Sequence, residues 1–115
     1  MKQNCYIAGV GMTRFGKYLD RSIKSLAAEA INAALDDAGL DKQQLQSAWV
    51  GNVGAGVISG QVCVPGQVIL RDMGIGGIPV INVENACASS ATAFQQACSM
   101  VSLGAYDFYQ KPVET

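Results

Sequence analysis

The chain has 115 residues, half of them hydrophobic, with 8 basic side chains, 9 acidic ones and no histidine. That length suits one domain of modest size with a buried core. A net charge of −1 gives no basic field, which argues against nucleic acid or an anionic membrane as partner. Four cysteines, Cys5, Cys63, Cys87 and Cys98, show no C-x-x-C spacing. With no histidine beside them, a zinc site is not expected, and free thiols in a reducing, cytoplasmic setting are. The opening Met1-Lys2-Gln3-Asn4-Cys5-Tyr6 lacks the long apolar run of a signal peptide.

Tyr6 to Gly11 reads as a first strand, short, apolar and ended by glycine. Thr13 to Asp20 is a loop holding the basic and aromatic group Arg14-Phe15-Gly16-Lys17-Tyr18. The clearest helix follows: Ile23, Leu26, Ala27, Ala30, Ile31, Ala34, Leu35 and Ala38 recur at helical spacing and form one apolar stripe. Asp20 or Ser22 can cap its start, and Gly39 suits a left-handed stop. Asp41 with Gln44 forms a small capping box for one more turn.

Ala48 to Val53 is a second strand leading into the glycine-rich stretch Gly54–Gly60. A helix over Pro65 to Met73 is expected, with Pro65 in its first turn. Gly74, Gly76 and Gly77 separate it from a third strand, Pro79 to Val83. A last helix of small residues runs from Cys87 to Leu103 and stops at Gly104. No charge falls between Cys87 and Tyr106, about the length of a membrane span, yet Thr92, Gln95, Gln96 and several serines make this stretch too polar for lipid. Strands alternating with helices imply parallel crossovers, hence an α/β fold. After Gly104 the pattern calls for another strand, but Phe108 to Thr115 brings a proline and charges, a poor central strand. The chain therefore reads as an incomplete domain over residues 1–115, one piece of a larger fold.

Cys87 is the candidate for chemistry. It lies where the strand ending at Val83 gives way, through Glu84-Asn85-Ala86, to the last helix. Free N–H groups at a helix start favour a thiolate, the reactive form of cysteine. The other reading is a small buried hydrophobe, the common fate of an unpaired cysteine. Small neighbours (Ala86, Ala88, Ser89, Ala91, Ala93) favour close approach of a substrate; Glu84 opposes thiolate formation if it is near. Cys5, Cys63 and Cys98 read as core thiols. Cys98 stands eleven residues beyond Cys87, about 16 Å along one helix. Gly9-Val10-Gly11 and Gly54–Gly60 lack G-x-G-x-x-G and a Walker lysine, so turns and close packing account for them better than phosphate binding. Arg14 and Lys17 read as a solvated loop and Trp49 as core.

The block Pro79-Val80-Ile81-Asn82-Val83-Glu84-Asn85-Ala86-Cys87-Ala88-Ser89-Ser90 resembles the nucleophile region of thiolases, especially the sterol-carrier-protein-type branch. Ala8-Gly9-Val10-Gly11-Met12-Thr13-Arg14-Phe15-Gly16-Lys17 resembles that branch's opening motif, and Gly51-Asn52-Val53 and Gly60-Gln61 sit where thiolases have similar residues. The resemblance runs from about residue 5 to Asp107. It implies a partial thiolase fold: one side of a five-stranded mixed sheet with flanking helices, within the α-β-α-β-α layers of an intact enzyme. The strand order it implies, 3-2-1-4-5, leaves the first strand at an exposed edge. The last helix would lack its cover, and the isolated chain is expected to be unstable alone.

For function, the resemblance implies acyl transfer with Cys87 as the acyl-accepting residue, in 3-ketoacyl-coenzyme A thiolysis or acyl-coenzyme A condensation, in fatty acid or sterol degradation. Coenzyme A and acyl-coenzyme A would be substrates, with no permanently bound cofactor and no metal. The partner would be a second copy or a complementary carboxy-terminal half. The family's histidine and second cysteine have no counterpart in this chain, and Cys98 does not replace them. Two other readings stay open: a non-catalytic truncated or accessory subunit used for assembly or lipid binding, and a thiolase-like aldolase or ketoacyl synthase.

Overall fold

The computed structural model describes residues 3–106. Helix α1 spans Ile23–Ala38 and a 3-10 turn follows at Lys42–Gln44. Strand β1 (Ala48–Gly51), the short helix α2 (Ala55–Ile58) and helix α3 (Pro65–Asp72) come next. Strand β2 (Val80–Val83) and helix α4 (Ser89–Ser102) complete the order.

Local chemistry sets these boundaries. The Ser22 side chain accepts from the Ser25 N–H at the start of α1, and Gly39, at φ 66°, ends it with its N–H on the carbonyls of Asp36 and Leu35. All eight residues of the expected stripe on α1 are buried or half-buried. The Asp41–Gln44 capping box is formed, and Pro65 occupies the first turn of α3. The glycine-rich stretch departs from expectation: α2 lies inside it, its first turn held by Asn52 Oδ1 accepting from the Ala55 N–H at 2.8 Å.

Strands β1 and β2 pair in parallel, Ala48 opposite Val80 and Gly51 opposite Val83. Side chains alternate across a strand, and the packing follows that parity. A Cβ on Gly66 of α3 would lie 2.8–3.0 Å from Val50, Val80 and Asn82 side-chain atoms, so these even-numbered residues face α3. A Cβ on Gly51 would lie 2.7 Å from the backbone of Ser89 and Ser90, so the odd-numbered face carries α4. The sheet is thus covered on both sides, and α1 packs on α3. The core gathers Leu35, Ala55, Ile69, Leu70, Ile75 and Ala93. Trp49 is half-buried, with the ring of Tyr106 edge-on at 5.8 Å.

Two expectations are corrected. Tyr6–Gly11 forms no strand and pairs with neither β1 nor β2. It lies along α1 instead, so closely that a Cβ on Gly9 would be 2.5 Å from the Ala34 carbonyl oxygen and one on Gly11 2.3 Å from that of Ala30. Asp37 Oδ2 accepts the Val10 N–H at 2.9 Å, taking a donor that a neighbouring strand would need. The intervening Val10 stays 67 % exposed. Helix α4 begins at Ser89, two residues later than expected, for reasons that lie in the candidate site. The expected weak strand beyond Asp107 lies outside the described residues.

Candidate active site

The carboxyl ends of both strands meet the start of α4, the edge at which open parallel sheets place their ligands. After Val83 the chain makes a tight turn rather than entering the helix. Glu84 Oε2 accepts the Ala86 N–H at 2.5 Å. The Ser89 hydroxyl accepts the Asn85 N–H and donates to the Ala86 carbonyl, both at 2.8 Å. The Ala88 N–H goes to the Asn85 carbonyl and that of Ser89 to the Ala86 carbonyl. Asn85 Nδ2 reaches forward to Thr92 Oγ1 at 3.0 Å. Ser89 is 5 % exposed, so both bonds of its hydroxyl are made away from water.

This turn holds Ala86 at φ 48°, a left-handed conformation costly for a residue with a Cβ. Strain of this kind is concentrated at functional positions. Cys87 follows directly and is exposed. It is therefore an accessible thiol, not the buried hydrophobe of the alternative reading. It stands outside the helix, before the N-cap Ala88, which provides no side-chain cap. With the Ala88 and Ser89 donors taken by the turn, the next N–H groups of α4, those of Ser90 and Ala91, have no capping side chain. Uncapped donors next to an accessible thiol can stabilise negative charge on a reacting oxygen.

Gly51 fixes where this turn sits. Only a residue without a Cβ lets β1 touch the α4 backbone at Ser89 and Ser90. Beside the junction, a cavity of about 330 Å³ is lined by residues including Asn52, Val53, Gln61, Asn82, Val83 and Glu84. Cys87 is not among its lining residues. The amides at its wall are already engaged: Asn82 Oδ1 accepts the Gly66 N–H at 2.7 Å and its Nδ2 donates to Gln67 Oε1 at 2.6 Å.

The other cysteines are not brought to this place. Cys5 and Cys63 are exposed and Cys98 is half-buried on α4, which corrects the expectation of core thiols for the first two. The Arg14 loop folds on itself, the Tyr18 hydroxyl donating to the Arg14 carbonyl at 2.6 Å. Among the described residues no group of three or more His, Cys, Asp or Glu side chains could hold a metal ion, and no helix is long and apolar enough to cross a membrane. Sequence reasoning missed Ser89 and Gly51 as positioning groups. The four-residue spacing of Asn85 and Ser89 was the available signal for the first; the second acts through a contact between distant residues and had none.

The family model for the thiolase N-terminal domain matches residues 5–109. The chain belongs to the thiolase family. This thiolase domain is 40% identical over 101 residues to an acetyl-CoA acetyltransferase of Methanocaldococcus jannaschii, covering 88% of this chain and 26% of that protein. It is 37% identical to sterol carrier protein 2 of Gallus gallus (93% of this chain, 19% of that protein). It is equally similar to the benzoylsuccinyl-CoA thiolase subunit BbsB of Thauera aromatica, at 37% (93% and 26%). The chain thus spans between 19% and 26% of the length of these relatives. Among solved structures, 3-oxoacyl-[acyl-carrier-protein] synthase III of Aquifex aeolicus shares its fold, with a TM-score of 0.61 at 19% identity over 74% of this chain and 27% of that one.

Proposed function

We propose that this thiolase domain carries the acyl-accepting nucleophile of an acyl-coenzyme A acyltransferase, and that Cys87 is that nucleophile. The observation that carries the reading is the junction itself: an exposed thiol held after a left-handed Ala86 and before an uncapped helix start. The Cys87 sulfur attacks the thioester carbonyl, the oxyanion forms, and the coenzyme A thiolate leaves. One thioester replaces another, so the covalent intermediate forms without a large change in free energy, and one hard step becomes two. In condensation the acyl group then passes to the α-carbanion of a second acyl-coenzyme A. In thiolysis the Cys87 sulfur attacks the 3-keto carbonyl instead, and the bond between the α and β carbons breaks. The acyl-coenzyme A enolate leaves and takes up a proton, and the acyl group passes from Cys87 to free coenzyme A. The proton-transfer groups are proposed to lie outside these 115 residues, which contain no histidine; a complementary carboxy-terminal part or a second copy would supply them.

The test is to incubate the full-length protein with acetyl-coenzyme A and map acylated peptides by mass spectrometry. An acetyl group on the Cys87 peptide that disappears in Cys87→Ser is the expected result. An unmodified Cys87 in a protein that still turns over acyl-coenzyme A would overturn it.

A second reading, a non-catalytic subunit for assembly or lipid binding, is favoured by one feature. Tyr6, Ile7, Val10, Met12, Phe15 and Leu19 expose large apolar side chains on one stretch of chain, and such patches serve interaction. It predicts lipid or partner binding unaffected by Cys87→Ser and no acyl adduct. An aldolase or ketoacyl synthase stays a third option; the opening motif favours the thiolase branch.

A further inference from the structure

Two thiols that the proposed chemistry does not use, Cys5 and Cys98, lie toward the far end of α4. The Gln3 N–H donates to the Ser102 carbonyl at 2.7 Å, and the Gln3 side chain reaches Gly104, where a Cβ would lie 3.4 Å from Nε2. The amino-terminal segment therefore starts against the end of α4. Two residues of extended chain advance about 6.6 Å, and four residues of helix about 6 Å. A segment running antiparallel to α4 from Gln3 and Ser102 thus draws level at Cys5 and Cys98. Cys98 and Ser102, four apart, share a helix face. Cys5 as a neighbour also fits the raised pKa of the Cys98 thiol, whose causes are hydrogen bonding with Cys5, then burial, then the charge of Cys5. Cys5 is exposed and Cys98 half-buried.

We infer that Cys5 and Cys98 form an oxidisable dithiol that closes into a disulfide and staples the amino-terminal segment to α4. The oxidant is a small-molecule disulfide such as oxidised glutathione. The exposed Cys5 thiolate attacks one of its sulfurs, expels one glutathione thiolate and forms a mixed disulfide. The Cys98 thiolate then attacks the Cys5 sulfur and expels the second glutathione. The protein loses two protons and two electrons, and one oxidised glutathione becomes two reduced ones. Raising the pH speeds the second step, because Cys98 must lose a proton that its surroundings retain. The reactive Cys87 lies before the opposite end of α4, so the staple leaves the proposed nucleophile free.

The test treats the full-length protein with oxidised glutathione under native conditions and maps peptides without reduction. The expected result is a linked Cys5–Cys98 peptide, a loss of two hydrogen masses, and reversal by dithiothreitol. The linkage persists in Cys87→Ser and is lost in Cys98→Ser, which keeps a glutathione adduct on Cys5 instead. A wild-type protein that stops at the Cys5 adduct, or links Cys5 to Cys63 or Cys87, overturns the inference. The decisive readout is on the wild-type chain, so a variant that fails to fold does not blunt it.

Discussion

Two irregular segments, residues 84–88 and residues 6–12, are positioned in opposite ways. The first closes on itself through short hydrogen bonds from Glu84, Asn85 and Ser89 and is then seated against Gly51. The second makes contact with α1 through two glycines and the Val10–Asp37 bond, and its large apolar side chains face outward. The segment that carries the proposed nucleophile is defined by its own bonds before packing acts. A segment defined only by a neighbouring helix can be peeled away without disturbing the rest.

That contrast can be broken most directly at Gly51. Gly51→Val places side-chain carbons within the α4 backbone, and overpacking of this kind costs about 3 kcal/mol. Urea denaturation should show that loss together with slower acylation at Cys87; unchanged stability would mean that the junction is not seated there. Ser89→Ala removes the acceptor of the part-buried Asn85 N–H and should cost about 1.5 kcal/mol. If the turn is self-defined, the loss should come with a larger drop in Cys87 reactivity than in stability.

Gly11→Ala tests the other segment. Its Cβ would meet the Ala30 carbonyl, so the segment should lift off α1, with faster hydrogen exchange over residues 6–12 and a global loss of only about 1 kcal/mol. A loss as large as that of Gly51→Val would erase the contrast. Asp37→Ala removes one acceptor at an exposed site and should cost about 0.5 kcal/mol, since water replaces it.

The smallest effect concerns pH. The folded-state pKa of Cys98 is raised, so the fold favours its protonated thiol. That contribution is complete below the unfolded thiol's pKa and is lost as pH rises through the folded value. Alkylation of Cys98 at mildly alkaline pH should therefore be slower in the folded protein than in urea.

The parts legible in the sequence were those governed by neighbours in the chain. Ser22, Gly39, Asp41 with Gln44, and Pro65 act within a turn of themselves, so α1, the 3-10 turn and α3 could be placed closely. Tyr6–Gly11 has strand-like composition, but pairing depends on a partner chain segment, and the alanines of α1 offered a backbone-close surface that the two glycines fill. The late start of α4 was hidden because Glu84 and Ser89 divert the N–H groups of Asn85 and Ala86 into a turn. At the candidate site, the position of Cys87 between strand and helix was legible in the sequence. Gly51 and Ser89 could not be joined from sequence, since their contact spans the whole crossover.

The left-handed Ala86 limits which sequences this junction can explore. A β-branched side chain is disfavoured at φ 48°, whereas glycine relaxes the turn at once. Directed evolution for thermal tolerance would therefore favour Ala86→Gly, and the same exchange would loosen the residue immediately before the thiol. Variants recovered on heat resistance alone should drift toward a quieter Cys87. Position 86 is where tolerance and reactivity would be selected apart.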